Sequence, residues 1–175
     1  MTVDVGRLTF APAADGPDLV AEPVRPWLRD GLWVSEIDPG LADTAEFCEH
    51  YGIGLDISAN CVVVEAKRAE RVWYAACLVL ATTRADVNGV VRKHLGARKI
   101  SFAPMDAAVS LTGMEYGGIT PIGLPSDWPI LIDENVIDQP QVIIGSGIRG
   151  SKLLASNSVL ESLPGAEVLS IARTT

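Results

Sequence analysis

Two long apolar runs constrain the fold of this 175-residue chain more than any other feature. They are NCVVVEA at 60–66 and VWYAACLVLA at 72–81, and the charged segment KRAER lies between them. Both runs are rich in the β-branched and aromatic residues that favour strands. Such a pair predicts a buried β-hairpin or two adjacent strands.

Short helices and further strands are predicted around this pair. Four segments combine a capping residue or an N-terminal proline with helical spacing, namely 43–51, 86–95, 104–112 and 156–163. Strands are predicted at 98–102, 129–133, 141–145 and 167–171. The order has no regular βαβ repeat, so it favours a mixed sheet with helices packed around it.

The first 42 residues have a different composition from the rest. Five prolines recur there with Gly and Asp between them, which predicts an irregular arm. Apolar residues such as Trp27 and Trp33 indicate that this arm packs against something. We therefore expect a proline-rich, acidic N-terminal extension over 1–42, followed by one domain over 43–175.

The net charge of −8 is unevenly distributed. Residues 1–58 hold eleven acidic and three basic side chains, whereas 67–99 hold eight basic and two acidic ones. A phosphate backbone responds to the local field, so the basic segment is compatible with a nucleic-acid partner. A solvated surface on two strands and a helix would explain the same pattern.

The cysteine and histidine positions argue against a metal site. Cys48, Cys61 and Cys77 form no CxxC pair, and we expect them to be small buried side chains in a reducing compartment. His50 and His94 are far apart in the sequence, so no metal is expected. There is no apolar run of about 18 residues and no secretory signal pattern, so a cytoplasmic location is expected and a membrane is not.

Three features suggest where chemistry takes place. The loop GGITPIG at 117–123 can donate backbone hydrogen bonds to a ligand, although a tight connection between elements would look the same. The segment GSGIRG at 145–150 is not a P-loop and fits a hairpin turn that lines a pocket. Asp133, at a strand end, can orient a ligand or cap the following turn. No nucleophile–histidine–acid motif is recognisable.

These motifs occur together in a known order. TG at 112–113, GGITPIG at 117–123, the strand ending in Asp133, and IIGSGIRGSKL at 143–153 resemble the YbaK and prolyl-tRNA synthetase-associated editing family. The resemblance covers about residues 43–171. It implies an α/β chain of the α+β type, with one domain and a mixed, mostly antiparallel, barrel-like sheet surrounded by short helices.

The resemblance also implies a function. Members of this family are aminoacyl-tRNA deacylases, which hydrolyse mischarged tRNA and so protect translation fidelity. We expect a trans-acting hydrolase for tRNA of the alanyl or cysteinyl type, with no metal or cofactor. Its expected partner is mischarged tRNA, and an aminoacyl-tRNA synthetase is a further candidate partner.

The family motifs assign roles to residues of this sequence. The resemblance implies that the glycine loop lines the aminoacyl pocket and supplies backbone donors. The expected catalytic residues are Gly117, Gly118, Thr120, Asp133 and Lys67. The expected substrate-binding residues are Thr112, Pro121, Gly145, Ser146, Gly147 and Arg149, and the expected tRNA-backbone contacts are Arg92, Lys93, Arg98 and Lys99.

One position departs from the family pattern. The family usually carries a lysine early in the first core strand, where this chain has Val62, and Lys67 follows five residues later. A second interpretation is therefore a catalytically inactive relative that binds a tRNA end, a nucleotide or an aminoacyl group. A hydrolase acting on another small ester and an interaction protein using the N-terminal arm also stay open. A polar group deep in the pocket would favour hydrolysis, and purely apolar walls would favour binding alone.

Overall fold

The computed structural model describes residues 1–174, which form twelve strands and several short helices. The strands are β1 (Val3–Val5), β2 (Leu8–Pro12), β3 (Leu32–Glu36), β4 (Ala59–Arg68), β5 (Arg71–Leu80), β6 (Thr83–Ala85), β7 (Lys99–Phe102), β8 (Ile130–Asp133), β9 (Gln141–Gly145), β10 (Ser151–Ser156), β11 (Ala166–Leu169) and β12 (Ala172–Thr174).

The helices are all short. The α-helices are α1 (Thr44–Tyr51), α2 (Arg92–Leu95), α3 (Met105–Thr112), α4 (Glu134–Ile137) and α5 (Asn157–Glu161). The 3₁₀ turns are Ala13–Asp15, Pro17–Leu19, Glu22–Trp27, Pro39–Leu41 and Leu55–Ile57, and a π-helical turn spans Val87–Val91. In the described part of the chain, no helix has both the length and the apolar character needed to cross a membrane.

Two five-stranded sheets form the body of the fold. The first has the order β1-β2-β3-β10-β9 and is antiparallel throughout. The second has the order β11-β8-β5-β4-β7, in which β8 runs parallel to both β5 and β11. A bridge between Ser58 and Ile143 joins the two sheets. The predicted fold class, a mixed and mostly antiparallel α+β domain, is confirmed.

The predicted hairpin is the longest strand pairing in the structure. Strands β4 and β5 pair from Ala59 opposite Leu80 to Arg68 opposite Arg71. Residues 75–80 of β5 are buried on both faces, because β8 covers one edge and other elements cover both sides. This burial explains why the run is continuously apolar rather than alternating.

The predicted helices form and three of them end at the predicted glycines, although Asp43 makes no side-chain capping bond at the start of α1. Helices α1, α2 and α3 end at Gly52, Gly96 and Gly113, all in the left-handed conformation. Asp86 starts the second predicted helix by accepting hydrogen bonds from the N–H groups of Gly89 and Val90. That helix begins as a π-helical turn before it becomes α2.

The N-terminal segment is not the irregular arm that its prolines predict. Strands β1, β2 and β3 belong to the same sheet as β9 and β10. Phe10 is completely buried and packs in a cluster with Phe47 and Ile143. The prolines fall in the 3₁₀ turns and at the end of β2, so they leave the strand interiors free to pair.

We expect Phe10→Ala to lower the free energy of unfolding by about 3–5 kcal/mol, because it empties a filled site in the core. The neighbouring Thr9 is exposed, and its hydroxyl bonds Asp4 at the surface, so Thr9→Ala is the matched control. Urea unfolding of both variants measures the difference. Equal, small losses for the two variants would contradict the packed role of this segment.

Candidate functional site

A cavity of about 340 Å³ lies where the start of β4 meets the β9–β10 hairpin. The glycine loop lines it with Gly117 and Ile119, and β9 adds Gly145. Another part of the cavity is lined by the polar side chains of Thr44, Asn60 and Lys152. Two exposed aromatic residues, Phe102 and Tyr116, also line it. The structure thus brings together one predicted loop, one predicted turn and a polar side that the sequence did not reveal.

The glycine side of the cavity is backbone packed on backbone. A Cβ on Gly118 would lie 2.7 Å from the carbonyl carbon and oxygen of Ile148, and one on Gly145 would lie 2.5 Å from the Gly118 oxygen. The Gly147 N–H donates to the Gly118 carbonyl at 2.7 Å. The loop and the turn therefore hold each other in place, and neither contact leaves space for a side chain.

Only some of the loop N–H groups are available to a ligand. The Gly118 N–H donates to the Glu115 carbonyl at 3.0 Å, so it is already used within the turn. Gly117, which has φ +89°, and Ile119 both line the cavity. Within residues 1–174 their N–H groups have no hydrogen-bond acceptor. Among the loop residues that line the cavity, these two therefore have backbone donors free for a ligand.

The polar side of the cavity comes from α1, β4 and β10. Thr44 Oγ1 donates to Asn60 Oδ1 at 2.6 Å. Lys152 is only 8% exposed, and its Nζ donates to the Ala42 carbonyl at 2.9 Å. The same Nζ lies 5.0 Å from the centre of the Phe47 ring, within cation–π range.

Burial perturbs two titratable groups at the cavity. Desolvation lowers the pKa of Lys152 to about 8, while Cys48 and Asp43 act to raise that pKa and Arg149 acts to lower it. Burial also raises the pKa of the Cys61 thiol, with Cys77 adding to the effect. Cys61 is therefore a protonated thiol at neutral pH, although it lines the cavity.

Arg149 fixes the rim rather than the interior. Its Nη1 contacts Asp43 Oδ1 at 3.3 Å and the Tyr116 carbonyl at 3.4 Å, and its Nε donates to the Pro39 carbonyl at 3.2 Å. Its backbone N–H donates to Glu115 Oε1 at 2.7 Å. The predicted substrate-binding arginine thus ties three segments together beside the cavity.

Of the five predicted catalytic residues only Gly117 lines the cavity, and Gly118 packs against the backbone of Ile148. Lys67 is half exposed near the far end of β4, with its Nζ 3.3 Å from Glu65. Thr120 is fully buried, and its Oγ1 has no hydrogen-bond partner within residues 1–174. Asp133 accepts from the N–H groups of Ile171, Ala172 and Asn135 at 2.9–3.2 Å. Asp133 therefore caps α4 and anchors the C-terminal segment.

Most of the other predicted substrate-binding residues do not line the cavity and instead pack or bond within neighbouring elements. Thr112 Oγ1 donates to the Ala108 carbonyl at the end of α3, and Pro121 is buried. Ser146 is completely buried and bonded within the β9–β10 turn. Gly147 has φ +90° and fits against Ala21 and Met114. Of this predicted set, only Gly145 lines the cavity itself.

Basic side chains gather at the opposite end of the β4–β7 pair. Lys67, Arg92, Arg98 and Lys99 line two adjoining depressions there, one of which Arg68 also lines; we call this set the basic groove. Lys93 is exposed on α2 but does not line either depression. Most of the predicted tRNA-backbone residues therefore share one surface.

A second cavity of about 390 Å³ lies on the other side of β4. Asn60, Val62 and Phe102 line both cavities, so they form a common wall. Val62 is the position at which the resemblance implied a lysine. The amino group in the first cavity comes instead from Lys152, on a strand of the other sheet.

Sequence reasoning missed Lys152, Thr44 and Asn60. A lysine directly before the apolar run LLA of the strand SKLLAS was the available signal for Lys152. The sequence around Thr44 and Asn60 did not indicate a site, because their contact depends on how α1 packs near the start of β4. Within the described chain, no group of three or more His, Cys, Asp or Glu side chains is placed to hold a metal ion.

Taken together, the structure is a small α+β domain with a cavity lined on one side by glycines. The chain matches the family model of the aminoacyl-tRNA editing domain over residues 38–163. This match spans more than half of the chain, and the chain belongs to the aminoacyl-tRNA editing domain family. The predicted resemblance is confirmed, and a general role in aminoacyl-tRNA editing follows from it.

Solved structures share this fold. One is described as a candidate trans-editing enzyme for prolyl-tRNA synthetase, with a TM-score of 0.74, 21% identity, and coverage of 93% of this chain and 98% of that chain. Another is the hypothetical protein APE2540, with a TM-score of 0.75, 20% identity, and coverage of 87% of this chain and 100% of that chain. At these identities the likeness shows the fold alone.

The structure gives Asp133 a supporting role that can be tested. We expect Asp133→Ala to lower the free energy of unfolding by about 1–3 kcal/mol for each buried N–H that is left without its acceptor. The exposed Asp138, which ends α4, provides the control Asp138→Ala. Thermal and urea unfolding measure both. An Asp133→Ala protein with wild-type stability would contradict this anchoring role.

Proposed function

We propose that this protein is a cytoplasmic, trans-acting deacylase that hydrolyses mischarged tRNA of the alanyl or cysteinyl type. One observation carries the proposal. The glycine loop, with free N–H groups at Gly117 and Ile119, faces a polar side that contains a buried lysine, and both line one cavity. The polar interior favours hydrolysis over passive binding.

The size of the cavity supports a small aminoacyl group. Its volume of about 340 Å³ lies near the lower end of the range for ligand pockets, which is about 300–1,000 Å³. Apolar side chains of Ala59, Val63 and Ala108 complete its lining. Such a space suits a small side chain such as that of alanine or cysteine better than a large aromatic one.

The chemistry needs little more than the site offers. An aminoacyl ester is already activated, so the enzyme must position a water molecule and stabilise the oxyanion that forms when the water attacks. Backbone N–H groups of the loop suit the second task, and the free ribose hydroxyl beside the ester suits the first. Cys61 is not proposed as a nucleophile, because burial keeps its thiol protonated.

The surface between the cavity and the basic groove offers a path for the tRNA end. Phe102 edges the cavity and Lys99 lines the basic groove, and they stand at opposite ends of β7. Three residues of strand span about 10 Å. We propose that a tRNA 3′ end in the cavity places phosphates of the preceding nucleotides near Arg92, Lys93, Arg98 and Lys99.

Two exposed aromatic side chains suit the terminal base. Phe102 is 63% exposed and Tyr116 is 53% exposed, and both stand at the mouth of the cavity. Exposed aromatic rings beside a basic surface are the usual platform on which single-stranded bases stack. We propose that they hold the terminal adenine while the aminoacyl group enters the cavity.

The inactive relative is the second candidate function. It is favoured by Val62, which puts an apolar side chain in the cavity wall where the family pattern has a lysine. In that case the same cavity would hold a tRNA end, a nucleotide or an aminoacyl group without turnover. Hydrolysis assays and binding assays on the same protein separate the two candidates.

We expect the wild-type protein to deacylate at least one member of a panel of alanyl-, cysteinyl- and seryl-tRNAs. Gly117→Ala should reduce the rate about 100-fold, because φ +89° disfavours alanine and the change displaces a backbone donor. Gly150→Ala, in the adjoining turn, is the matched control, since its Cβ would meet only ordinary contacts at 3.9 Å or more.

The same tRNA panel tests whether Lys67 acts in catalysis or in tRNA binding. Lys67→Ala should raise KM without changing kcat, because Lys67 lies in the basic groove and not in the cavity. A drop in kcat for Lys67→Ala would return Lys67 to a catalytic role. Absence of turnover on every tRNA, in a protein that binds tRNA and is folded, would support the inactive relative.

We expect tRNA affinity to fall as salt rises, because binding to phosphates releases bound counterions. Replacing Arg98 or Lys99 by alanine should reduce the salt-dependence slope by about 0.7–0.9 for each phosphate that the variant no longer neutralises. Arg29→Ala, which removes an exposed arginine of the N-terminal segment, is the control. Filter binding at several salt concentrations measures the slope, and equal slopes for all variants would reject the basic groove as the tRNA-binding surface.

A further inference from the structure

The charge on Lys152 has no anionic partner. Its Nζ bonds a carbonyl oxygen and faces an aromatic ring, and within residues 1–174 it forms no salt bridge. The nearby Asp43 carboxylate is directed to Arg149 and is largely exposed. Burying a cation without an anionic partner costs folding free energy. A buried Lys152 is therefore best explained by a ligand that supplies negative charge.

The sheet directs this lysine into the cavity beside the glycine loop. Lys152 stands directly opposite Gly145 in the β9–β10 pair. Opposite residues of an antiparallel pair have Cα atoms about 4.5–5.5 Å apart. Gly145 in turn packs against the carbonyl oxygens of Gly118 and Ile119. Lys152 and the loop are therefore linked through Gly145, and both line the same cavity.

We propose that Lys152 is a catalytic residue whose ammonium group contacts the ester carbonyl oxygen of the substrate and stabilises the oxyanion formed during deacylation. This inference rests on the proposed function and names the side chain that acts at its site. The backbone N–H groups of Gly117 and Ile119 share the task with Lys152.

The step balances without any further reactant. A water oxygen bonds to the carbonyl carbon and loses a proton to solvent, and the carbonyl oxygen takes the negative charge beside Lys152. The bond between that carbon and the ribose oxygen then breaks. The ribose oxygen takes up the remaining proton of the attacking water, which leaves the free hydroxyl of the tRNA and the amino acid as a carboxylate.

The role predicts a characteristic pH dependence. Lys152 has a pKa of about 8, set mainly by burial, with Asp43, Cys48 and Arg149 as the other groups that face it. It is charged below that pH and neutral above it, so enzymatic kcat/KM should fall as pH rises through about 8. A lysine acting as a neutral base would instead give a rise over the same range.

The first test is a pH–rate profile of wild type, Lys152→Met and Lys152→Arg on the best substrate of the tRNA panel, with uncatalysed hydrolysis subtracted. We expect Lys152→Met to reduce kcat about 100-fold or more at unchanged thermal stability and tRNA affinity. Lys152→Arg should keep part of the activity without the fall near pH 8, because arginine stays charged. Full activity of Lys152→Met, or a fall in stability that accounts for the reduced rate, would overturn the proposal.

A second test does not need turnover. The probe is a phosphonate analogue of alanyl-adenosine, in which an anionic tetrahedral phosphorus replaces the ester carbonyl. We expect wild type to bind it at least tenfold more tightly than Lys152→Met does, as measured by calorimetry. Tight binding by an inactive wild type would refute the deacylase while keeping the anion contact, and equal binding by both proteins would refute the role of Lys152.

Discussion

The contact of the glycine loop with the β9–β10 turn is the constraint on which the site depends. Gly118 and Gly145 let two backbones approach so closely that no side chain fits between them. This close approach places the loop between α3 and β8 against the β9–β10 hairpin, which belongs to the first sheet. The cavity lies beside that contact. Its position therefore depends on the missing side chains of Gly118 and Gly145.

The electrostatics of the molecule are local rather than global. The chain carries a net charge of −8, yet its cavity holds a buried lysine and one end of its β4–β7 pair is basic. The eleven acidic side chains of residues 1–58 do not prevent attraction of a polyanion at these two places, because salt screens charges beyond about 10 Å.

Sequence patterns predicted the helices and strands well, but they did not predict which of these elements contact each other. The β4–β5 hairpin and the glycine-terminated helices were predictable, since apolar runs and stop residues act locally. The N-terminal strands were not, because β2 is short and prolines surround it. Lys152 resembles a surface residue in sequence, and its burial depends on a register with Gly145 and Ser35 that only the assembled sheet defines.

The wall shared by the two cavities links their sizes. Asn60, Val62 and Phe102 stand between a space of about 340 Å³ and a neighbour of about 390 Å³. A change of side-chain size at Val62 would alter the lining of both spaces and leave the loop, the turn and Lys152 in place. The size of the first cavity is thus coupled to that of its neighbour through a single strand of the sheet.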